Sequence, residues 1–356
     1  MADVWKFYAA PMSYFSAKIR PVLRYKRIDF IEVRATPEIY REVILPRTGL
    51  GFIPVVITGE DEVLQDTPRM YERIEALRPT PTIFPQDPAV RMVAEVIQDF
   101  SDEAMLLPAM HFRWNFPEQR EWISDDWQPF FEEATDDLME RMAGFLPMLG
   151  VSEKTREAVD AWFDTLLDIL TRHFHEHRFV LGERLTIADF ALLGPMYAHM
   201  GRDPVPAARM RERAPRVMAW LHEANDAAGP GPGAGEPMVA DTLAPLLEQI
   251  GRVFVPIQQT ASAAAEQAAA GLEDGAEVPR VLGLVDTPIL GIAGSRYVNS
   301  YSVWRHARTA ARYAALESGD RRRVDAWLQP AGVLPLLQNP PASDFEMRAG
   351  KLVKRA

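Results

Sequence analysis

The chain has 356 residues, of which 47% are hydrophobic, so it is long enough to form two or three domains with a sizeable core. A net charge of −11 argues against non-specific attraction to nucleic acid or to an anionic membrane, because both favour a basic surface. The absence of cysteine excludes disulfides, thiolate metal sites and a cysteine nucleophile, and it agrees with a cytoplasmic location. No apolar run approaches the roughly 20 residues that span a bilayer, and the N-terminus lacks a signal-peptide core, so we expect a soluble protein.

The N-terminal part begins with a predicted strand, helix and strand. Residues 4–8 are aromatic and β-branched, and residues 29–34 alternate in polarity, which is typical of strands. Between them, apolar residues recur at helical spacing from Ser16 onward. Residues 37–45 form a weaker predicted helix.

Two further strands and a helix follow. The apolar runs 52–57 and 62–64 flank the turn Gly59-Glu60-Asp61, which predicts a hairpin. Thr67 then suits the cap of a helix, and Pro68 suits its first position. The predicted order is therefore strand, helix, strand, helix, two strands and helix.

Beyond a linker at residues 79–88, which contains four prolines, the pattern is helical. Apolar residues recur at helical spacing in four segments, and the third segment is apolar nearly all round, so we expect it to be buried. The four segments are 90–107, 156–174, 187–200 and 209–224.

The most specific motif opens the third of these helices, at residues 182–190. Thr186 can cap the helix while Asp189 accepts from the amide of Thr186, and Leu185 can contact Phe190 across the first turn. Such a capping box is common by itself. Here it follows Gly182 and precedes an apolar helix in the second half of the chain.

This motif and the order of elements resemble the glutathione transferase superfamily. The resemblance implies an α/β thioredoxin-like, glutathione-binding domain at residues 1–80, followed by an all-α helical domain at 89–226. A glycine- and proline-rich linker at 227–237 leads to a mainly helical C-terminal extension at 237–356, whose role is unknown. Within the extension, residues 278–294 are either a hairpin or a packed loop.

The resemblance places the group that activates glutathione in the loop between the first strand and the first helix. Matching Ile19-Arg20 to the family's apolar-arginine pair assigns this role to Ser13. Its hydroxyl would donate to the glutathione sulfur, and the helix N-terminus would favour the thiolate. The competing interpretation of Ser13 is a plain loop or capping serine. The alternative donors are Tyr8, Tyr14 and Ser16.

The rest of the glutathione site would come from two other segments. Ile53-Pro54 matches the family's apolar-proline pair, in which the proline peptide is cis and the residue before it pairs with the cysteinyl backbone. Asp66 and Thr67 stand where the family has an acidic residue or glutamine followed by serine. Thr67 would bind the glutamyl carboxylate at a helix N-terminus, and Asp66 the glutamyl ammonium.

The loop at residues 45–52 departs from the family's asparagine-proline-x-glycine pattern. It is longer, and Phe52 stands where a polar residue is commoner. Arg47 is the only nearby cation in sequence, so we assign the glycyl carboxylate to it.

A pocket for the second substrate would lie in the helix after the linker, lined by His111, Arg113 and Trp114. The competing interpretation is that these side chains are plain core. His173 and His177 have the i, i+4 spacing of metal ligands, but a third ligand is missing from the pattern, so we predict no metal.

The sequence thus predicts a glutathione transferase-like enzyme that activates the glutathione thiolate for attack on a small electrophile. Glutathione would be a co-substrate, and no interaction with nucleic acid or a membrane is expected. Members of the family commonly form homodimers, so the resemblance implies a possible homodimer. An extension that covers the dimer face would instead favour a monomer. The alternative function is a non-catalytic ligand-binding or protein-interaction module on the same scaffold.

Overall fold

The computed structural model describes residues 4–231, 234–340, 345–348 and 351–355. The predicted linker 227–237 and extension 237–356 therefore lie partly outside the described residues. No helix in the described ranges is both long and apolar enough to cross a membrane.

The N-terminal part is a mixed four-stranded sheet with helices. Its strands are β1 Trp5–Ala9, β2 Phe30–Arg34, β3 Val55–Ile57 and β4 Val63–Gln65. The strand order is β2-β1-β3-β4, with β1 and β2 parallel and the other neighbours antiparallel. Its helices are α1 Ser16–Tyr25, α2 Pro37–Ile39, α3 Leu45–Thr48 and α4 Thr67–Leu77. The predicted order of elements is confirmed.

The following part is helical, as predicted. Its helices are α5 Pro88–Glu103, α6 Leu106–Trp114, α7 Arg120–Phe131, α8 Thr135–Ala143, α9 Arg156–Glu176, α10 Ile187–Pro195, α11 Pro204–Arg213 and α12 Pro215–Asp226. The predicted helix 209–224 divides into α11 and α12 at Ala214, which has φ −137° and ψ 55°. The reason is Pro215, because a proline disfavours helical geometry in the residue before it.

The C-terminal extension is mainly helical, with two hairpins. Its elements are α13 Ala244–Gln249, α14 Val255–Ala270, β5 Val281–Asp286, β6 Ser295–Asn299, α15 Ser300–Ala314, α16 Ser318–Leu328, α17 Leu334–Gln338, β7 Phe345–Arg348 and β8 Lys351–Lys354. Strands β5 and β6 pair antiparallel, so residues 278–294 hold the first strand and the connection of a hairpin whose second strand begins at Ser295. The β7–β8 hairpin is absent from the sequence prediction.

Short turns of other helical types connect these elements. The 3₁₀ turns are Pro117–Gln119, Glu132–Ala134, Pro147–Leu149 and Asp241–Leu243, and the π-helical turns are Tyr40–Ile44, Met196–Met200 and Ile250–Phe254.

The chain divides into two compact units whose boundaries cut across the predicted domains. The first unit comprises Met1–Gln86, Phe112–Ala143 and Leu170–Met238, and the second comprises Asp87–His111, Gly144–Ile169 and Val239–Ala356. From Val239 onward the extension thus belongs to a unit that also contains α5.

In the first unit, α1 packs against α10, and both helices are almost entirely buried. Gly194 permits the close approach, since a Cβ at this position would lie 2.9 Å from the Tyr14 ring. The buried helix α10 therefore supports the loop that carries Ser13.

The capping box at the start of α10 has the predicted form. The amide of Thr186 donates to Asp189 Oδ2 at 3.0 Å, and the Thr186 Oγ1 accepts from the amide of Ala188 at 3.3 Å. The same carboxylate accepts from the amide of Val180 at 2.9 Å and from the indole of Trp220 at 3.1 Å. Asp189 thereby connects α10 to the preceding loop and to α12.

Candidate active site

Three chain segments meet at one edge of the N-terminal sheet. Tyr8 in β1 pairs with Val55 in β3, and Val55 pairs with Gln65 in β4. Strands β1 and β4 end at this edge and β3 begins there, so the segments that follow β1, precede β3 and follow β4 lie side by side. These segments hold most of the predicted glutathione-binding residues.

Ser13 lies half-buried in the turn between β1 and α1. Its Oγ accepts a hydrogen bond from the amide of Ser16 at 3.2 Å, and its carbonyl accepts one from Ala17 at 3.1 Å. Because the Oγ already accepts, its proton can be donated to a ligand. The N-terminus of α1 adds partial positive charge at the same place. Ser13 can therefore cap the helix and bind an anion at once.

The alternative donors Tyr8 and Tyr14 are both buried. Tyr8 packs in an apolar cluster with Val55 and Ile57. The Tyr14 ring contacts the His199 ring edge-on, with centroids 5.5 Å apart. Ser16 is fully buried as well, which leaves Ser13 as the most exposed of the four candidate hydroxyls.

The Ile53-Pro54 peptide is cis, as the resemblance implies. Ile53 is half-buried, and its N–H and C=O form no hydrogen bond with any of the described residues. Both backbone groups can therefore pair with the backbone of a bound peptide.

Thr67 opens α4 and is buried, and its hydroxyl has a charged partner. The ammonium of Lys18 donates to Thr67 Oγ1 at 3.1 Å. Lys18 is itself fully buried, and its Nζ lies 5.6 Å from the centroid of the Tyr71 ring. An ammonium can only donate, so Thr67 must accept this bond, and its own proton can be donated elsewhere. The sequence prediction missed Lys18, because nothing local marks it as buried.

Asp66 precedes α4 with φ +79°, in a left-handed region that residues other than glycine rarely adopt. Backbone strain of this kind clusters at ligand-binding positions. The observation agrees with a binding role for the Asp66-Thr67 pair.

Arg47 lies away from these groups. Its guanidinium donates to the carbonyl of Asp61 at 3.0 Å and to the Asp61 carboxylate at 2.9 Å. Asp61 belongs to the turn between β3 and β4, at the opposite end of those strands from Ile53. The predicted contact of Arg47 with a glycyl carboxylate would require this ion pair to break.

Two of the three residues predicted to line a second-substrate pocket have aromatic or acidic neighbours within their own unit. His111 is buried in the second unit, 3.5 Å from Asp160. Trp114 belongs to the first unit and contacts Trp127 edge-on, with ring centroids 5.4 Å apart. Their immediate surroundings are packed side chains.

Arg113 holds the Ser13 loop from within the first unit. It is buried and binds Asp203 through two hydrogen bonds of 2.8 Å. It also donates to the carbonyl of Met12 at 3.0 Å and to that of Ala198 at 2.7 Å. Burial raises the pKa of Asp203, and the charge of Arg113 opposes that shift. Since Met12 immediately precedes Ser13, Arg113 acts on the site by positioning its loop.

A cleft of about 400 Å³ opens beside this loop in the first unit. Its apolar lining comprises Ala9 at the end of β1, Pro11 from the segment after β1, and Pro129 and Phe130 from α7. Phe130 belongs to a cluster that also includes Ala10 and Met12, and Ile53 packs against it. The sequence prediction missed this wall, because it did not identify α7.

Four charged residues line the rest of the cleft, and two of them form ion pairs. Glu32 accepts from Arg20 at 2.8 and 2.6 Å, and Asp126 pairs with Arg202. Arg34, at the end of β2, lies over the Phe130 ring with its guanidinium carbon 5.6 Å from the centroid. The other charged residue in the lining is Asp125.

His173 and His177 have no metal-binding surroundings among the described residues, where no group of three candidate ligands is arranged to hold a metal ion. His173 Nε2 is 3.1 Å from the carbonyl of Phe179, and burial lowers the pKa of His173. This histidine therefore serves as a neutral, hydrogen-bonded side chain of the first unit.

Two stretches of the chain match known domain families. Residues 7–82 match the family described as "Glutathione S-transferase, N-terminal domain", and residues 137–226 match "Glutathione S-transferase, C-terminal domain". No curated protein sequence matches the chain.

Several solved structures are similar at low identity. A glutathione S-transferase from Rhodospirillum rubrum F11 is 17% identical with a TM-score of 0.44, over 68% of this chain and 91% of that one. The β-etherase LigF from Sphingobium sp. strain SYK-6 is 17% identical with a TM-score of 0.47, over 63% and 95%. A glutathione transferase family member from Pseudomonas fluorescens pf-5, solved with two glutathione molecules bound, is 15% identical with a TM-score of 0.42, over 63% and 88%. Similarity at this level does not extend to activity.

Proposed function

Because the chain belongs to the glutathione transferase superfamily, we propose that it binds glutathione at the edge of its N-terminal sheet and transfers it to a small electrophile. The supporting observation is the direction of the hydrogen bonds that two hydroxyl groups form. Ser13 accepts from the amide of Ser16, and Thr67 accepts from the ammonium of Lys18, so each can donate its own proton to an anion.

Glutathione carries matching groups. Its sulfur would accept from Ser13, and its cysteinyl N–H and C=O would pair with the backbone of Ile53 beside Pro54. Its glutamyl carboxylate would accept from Thr67 at the N-terminus of α4, and its glutamyl ammonium would lie near Asp66.

The chemistry is thiolate attack. The Ser13 hydroxyl and the N-terminus of α1 stabilise the thiolate, which lowers the thiol pKa from about 8.5 toward neutrality. The sulfur then forms a bond to an electrophilic carbon while the bond to the leaving group breaks. The thiol proton goes to solvent, and the leaving group departs with the bonding electrons. The electrophile would occupy the cleft beside Pro11, and not the predicted site around His111, Arg113 and Trp114.

Calorimetry with glutathione tests binding, and Ser13→Ala tests the chemistry. We expect binding heat at millimolar glutathione. We also expect the thiolate absorbance of bound glutathione to titrate with a lower pKa than that of free glutathione. In Ser13→Ala the bound thiol pKa should return toward its free value and turnover should fall about 10- to 100-fold, because a positioned hydrogen bond to the thiolate is lost. Glutathione affinity should change little.

Ser16→Ala is the matched control. The Ser16 hydroxyl is fully buried at the start of α1 and accepts from the amide of Ala10 at 3.5 Å, so its removal should leave the bound thiol pKa unchanged. Absence of any heat at millimolar glutathione would refute the proposed function. A normal rate in Ser13→Ala would transfer the role to Tyr8 or Tyr14.

A non-catalytic binding module is the second candidate, and the position of Arg47 favours it. Arg47 is engaged by Asp61, so the glycyl carboxylate would lack the cation that the sequence suggested. This function predicts that glutathione binds with an unshifted thiol pKa and that no electrophile is turned over.

The resemblance to the family also suggests a homodimer. Light scattering of the full chain tests this oligomeric state.

A further inference from the structure

The cleft beside the Ser13 loop contains one cation that is free to select a substrate. The carboxylates of Glu32 and Asp126 are neutralised by Arg20 and Arg202. Within the described part of the chain, no carboxylate lies at ion-pair distance from Arg34. Its positive charge therefore faces the cleft without a protein counter-ion.

Arg34 is exposed, but its backbone and its guanidinium both have defined neighbours. It is the last residue of β2 and pairs in register with Ala9 of β1, whose side chain lines the same cleft. Its guanidinium lies 5.6 Å from the centre of the Phe130 ring. A guanidinium over a ring face keeps its N–H edges available, and these edges match the two oxygens of a carboxylate.

Asp125 could select in the opposite sense, because it too is without an ion-pair partner among the described residues. It is exposed on α7, and no ring or backbone contact orders its side chain. A ligand that binds Asp125 must order that side chain, which costs conformational entropy, whereas the Arg34 side chain is already positioned by its ring contact. The arrangement favours Arg34 as the selecting charge.

We propose that Arg34, supported by Phe130, binds an anionic group of the second substrate, so that the preferred electrophile is an acid with a compact apolar body. The apolar body would contact Pro11, Pro129 and Phe130. A volume of about 400 Å³ is within the range of small-molecule sites. This inference rests on the proposed transfer of glutathione for its reaction, although the anion site itself does not.

The test compares two electrophiles of equal size and different charge, 4-chloro-3-nitrobenzoate and 4-chloro-3-nitrobenzamide. In both, the thiolate displaces chloride. We expect the wild-type protein to favour the benzoate in kcat/KM, mainly through a lower KM. In Arg34→Gln the ratio of the two kcat/KM values should fall about tenfold or more, as the loss of a charge-assisted pair predicts.

The matched control is Arg41→Gln, which removes an exposed arginine of the same unit outside the cleft. Its ratio should equal that of the wild type, because the net charge changes equally in both variants. Arg34→Lys keeps the charge and loses the planar group, and its ratio should be intermediate. An unchanged ratio in Arg34→Gln would overturn the inference. So would a wild-type preference for the benzamide that Asp125→Asn abolishes.

A binding measurement separates this inference from the proposed function. The unreactive 3-nitrobenzoate and 3-nitrobenzamide are titrated into the wild-type protein and Arg34→Gln by calorimetry. Tighter binding of the benzoate that is lost in Arg34→Gln supports the anion site even if neither electrophile reacts, in which case only the transferase function fails. Equal binding of both ligands by the wild type refutes the inference.

Discussion

At the residue scale, the candidate site depends on buried donors that occupy the acceptor side of its hydroxyl groups. Each hydroxyl is then left to donate its proton to a ligand. Lys18 is the clearest case, since its ammonium is fully buried and donates to Thr67 at 3.1 Å. A lysine is rarely buried without a partner, because desolvation of its charge is costly. The bond therefore orients Thr67 and also brings positive charge to the N-terminus of α4.

Lys18→Met tests this role, because methionine has a similar shape and cannot donate. We expect the Kd for glutathione to rise about tenfold, since Thr67 is no longer held as a donor toward the ligand. The bound thiol pKa should stay as in the wild type, because Ser13 is intact.

Lys26→Met is the control for loss of a buried lysine. Lys26 lies just after α1 and pairs with Glu75 at 2.6 Å, outside the candidate site. Lys26→Met should lower the free energy of unfolding and leave the Kd for glutathione unchanged. Equal effects of both variants on the Kd would contradict a specific role for Lys18.

At the element scale, the start of α10 depends on one buried carboxylate. Asp189 accepts from the amides of Val180 and Thr186 and from the indole of Trp220. Asp189→Ala leaves these three buried donors without their acceptor, which should cost about 3 to 5 kcal/mol at pH 4. Denaturant unfolding measures the loss. Asp226→Ala, which removes an exposed partner of Arg24, should cost less than about 1 kcal/mol.

The same carboxylate predicts a pH dependence. Burial raises the pKa of Asp189 to about 6, above its ordinary value of 3.8. The folded state therefore favours the protonated form, and the stability due to this group is present below about pH 4 and is lost as the pH rises through about 6. The difference in unfolding free energy between the wild type and Asp189→Ala should narrow by about 3 kcal/mol across this interval. A constant difference would show that Asp189 titrates normally.

At the scale of the whole molecule, the extension forms part of the second unit through buried ion pairs with α5. Arg305 on α15 lies 2.9 Å from Asp102 and 3.1 Å from Asp99. Arg312 pairs with Glu95 at 2.9 Å. Burial alone would lower the pKa of Arg305, but the neighbouring acids raise it above its ordinary value. These contacts give α5 a charged buried face that the extension neutralises, with Arg91 of α5 itself as a second partner of Glu95.

Arg305→Met should destabilise the protein by about 3 to 5 kcal/mol, because it leaves Asp102 buried without its counter-charge and takes the nearer basic group away from Asp99. Arg322→Gln, which changes an exposed arginine on α16, should shift stability by less than about 0.5 kcal/mol. Chemical unfolding of both variants measures the difference. Equal stabilities would show that the ion pairs do not hold the extension.

Local patterns in the sequence predict much of this architecture. The order of strands and helices in the N-terminal part follows from periodicity, and the capping box of Thr186 and Asp189 spans three residues. The Ile53-Pro54 pair and the Thr67 helix start are also local, so a resemblance can locate them. Within a few residues the backbone decides which groups meet, and the sequence states that spacing directly.

Tertiary structure alone decides which distant side chains meet. Arg113 and Asp203 are 90 residues apart and form a buried pair that no local pattern indicates. Arg47 finds Asp61, Lys18 finds Thr67, and Arg34 lies on Phe130 of a helix that periodicity did not reveal. The sequence around a cationic side chain does not indicate which of many possible acceptors it will contact. That partner depends on which elements pack together. The sequence by itself thus determined the fold class and the segments of the candidate site, and packing decided which of its charges have a protein partner.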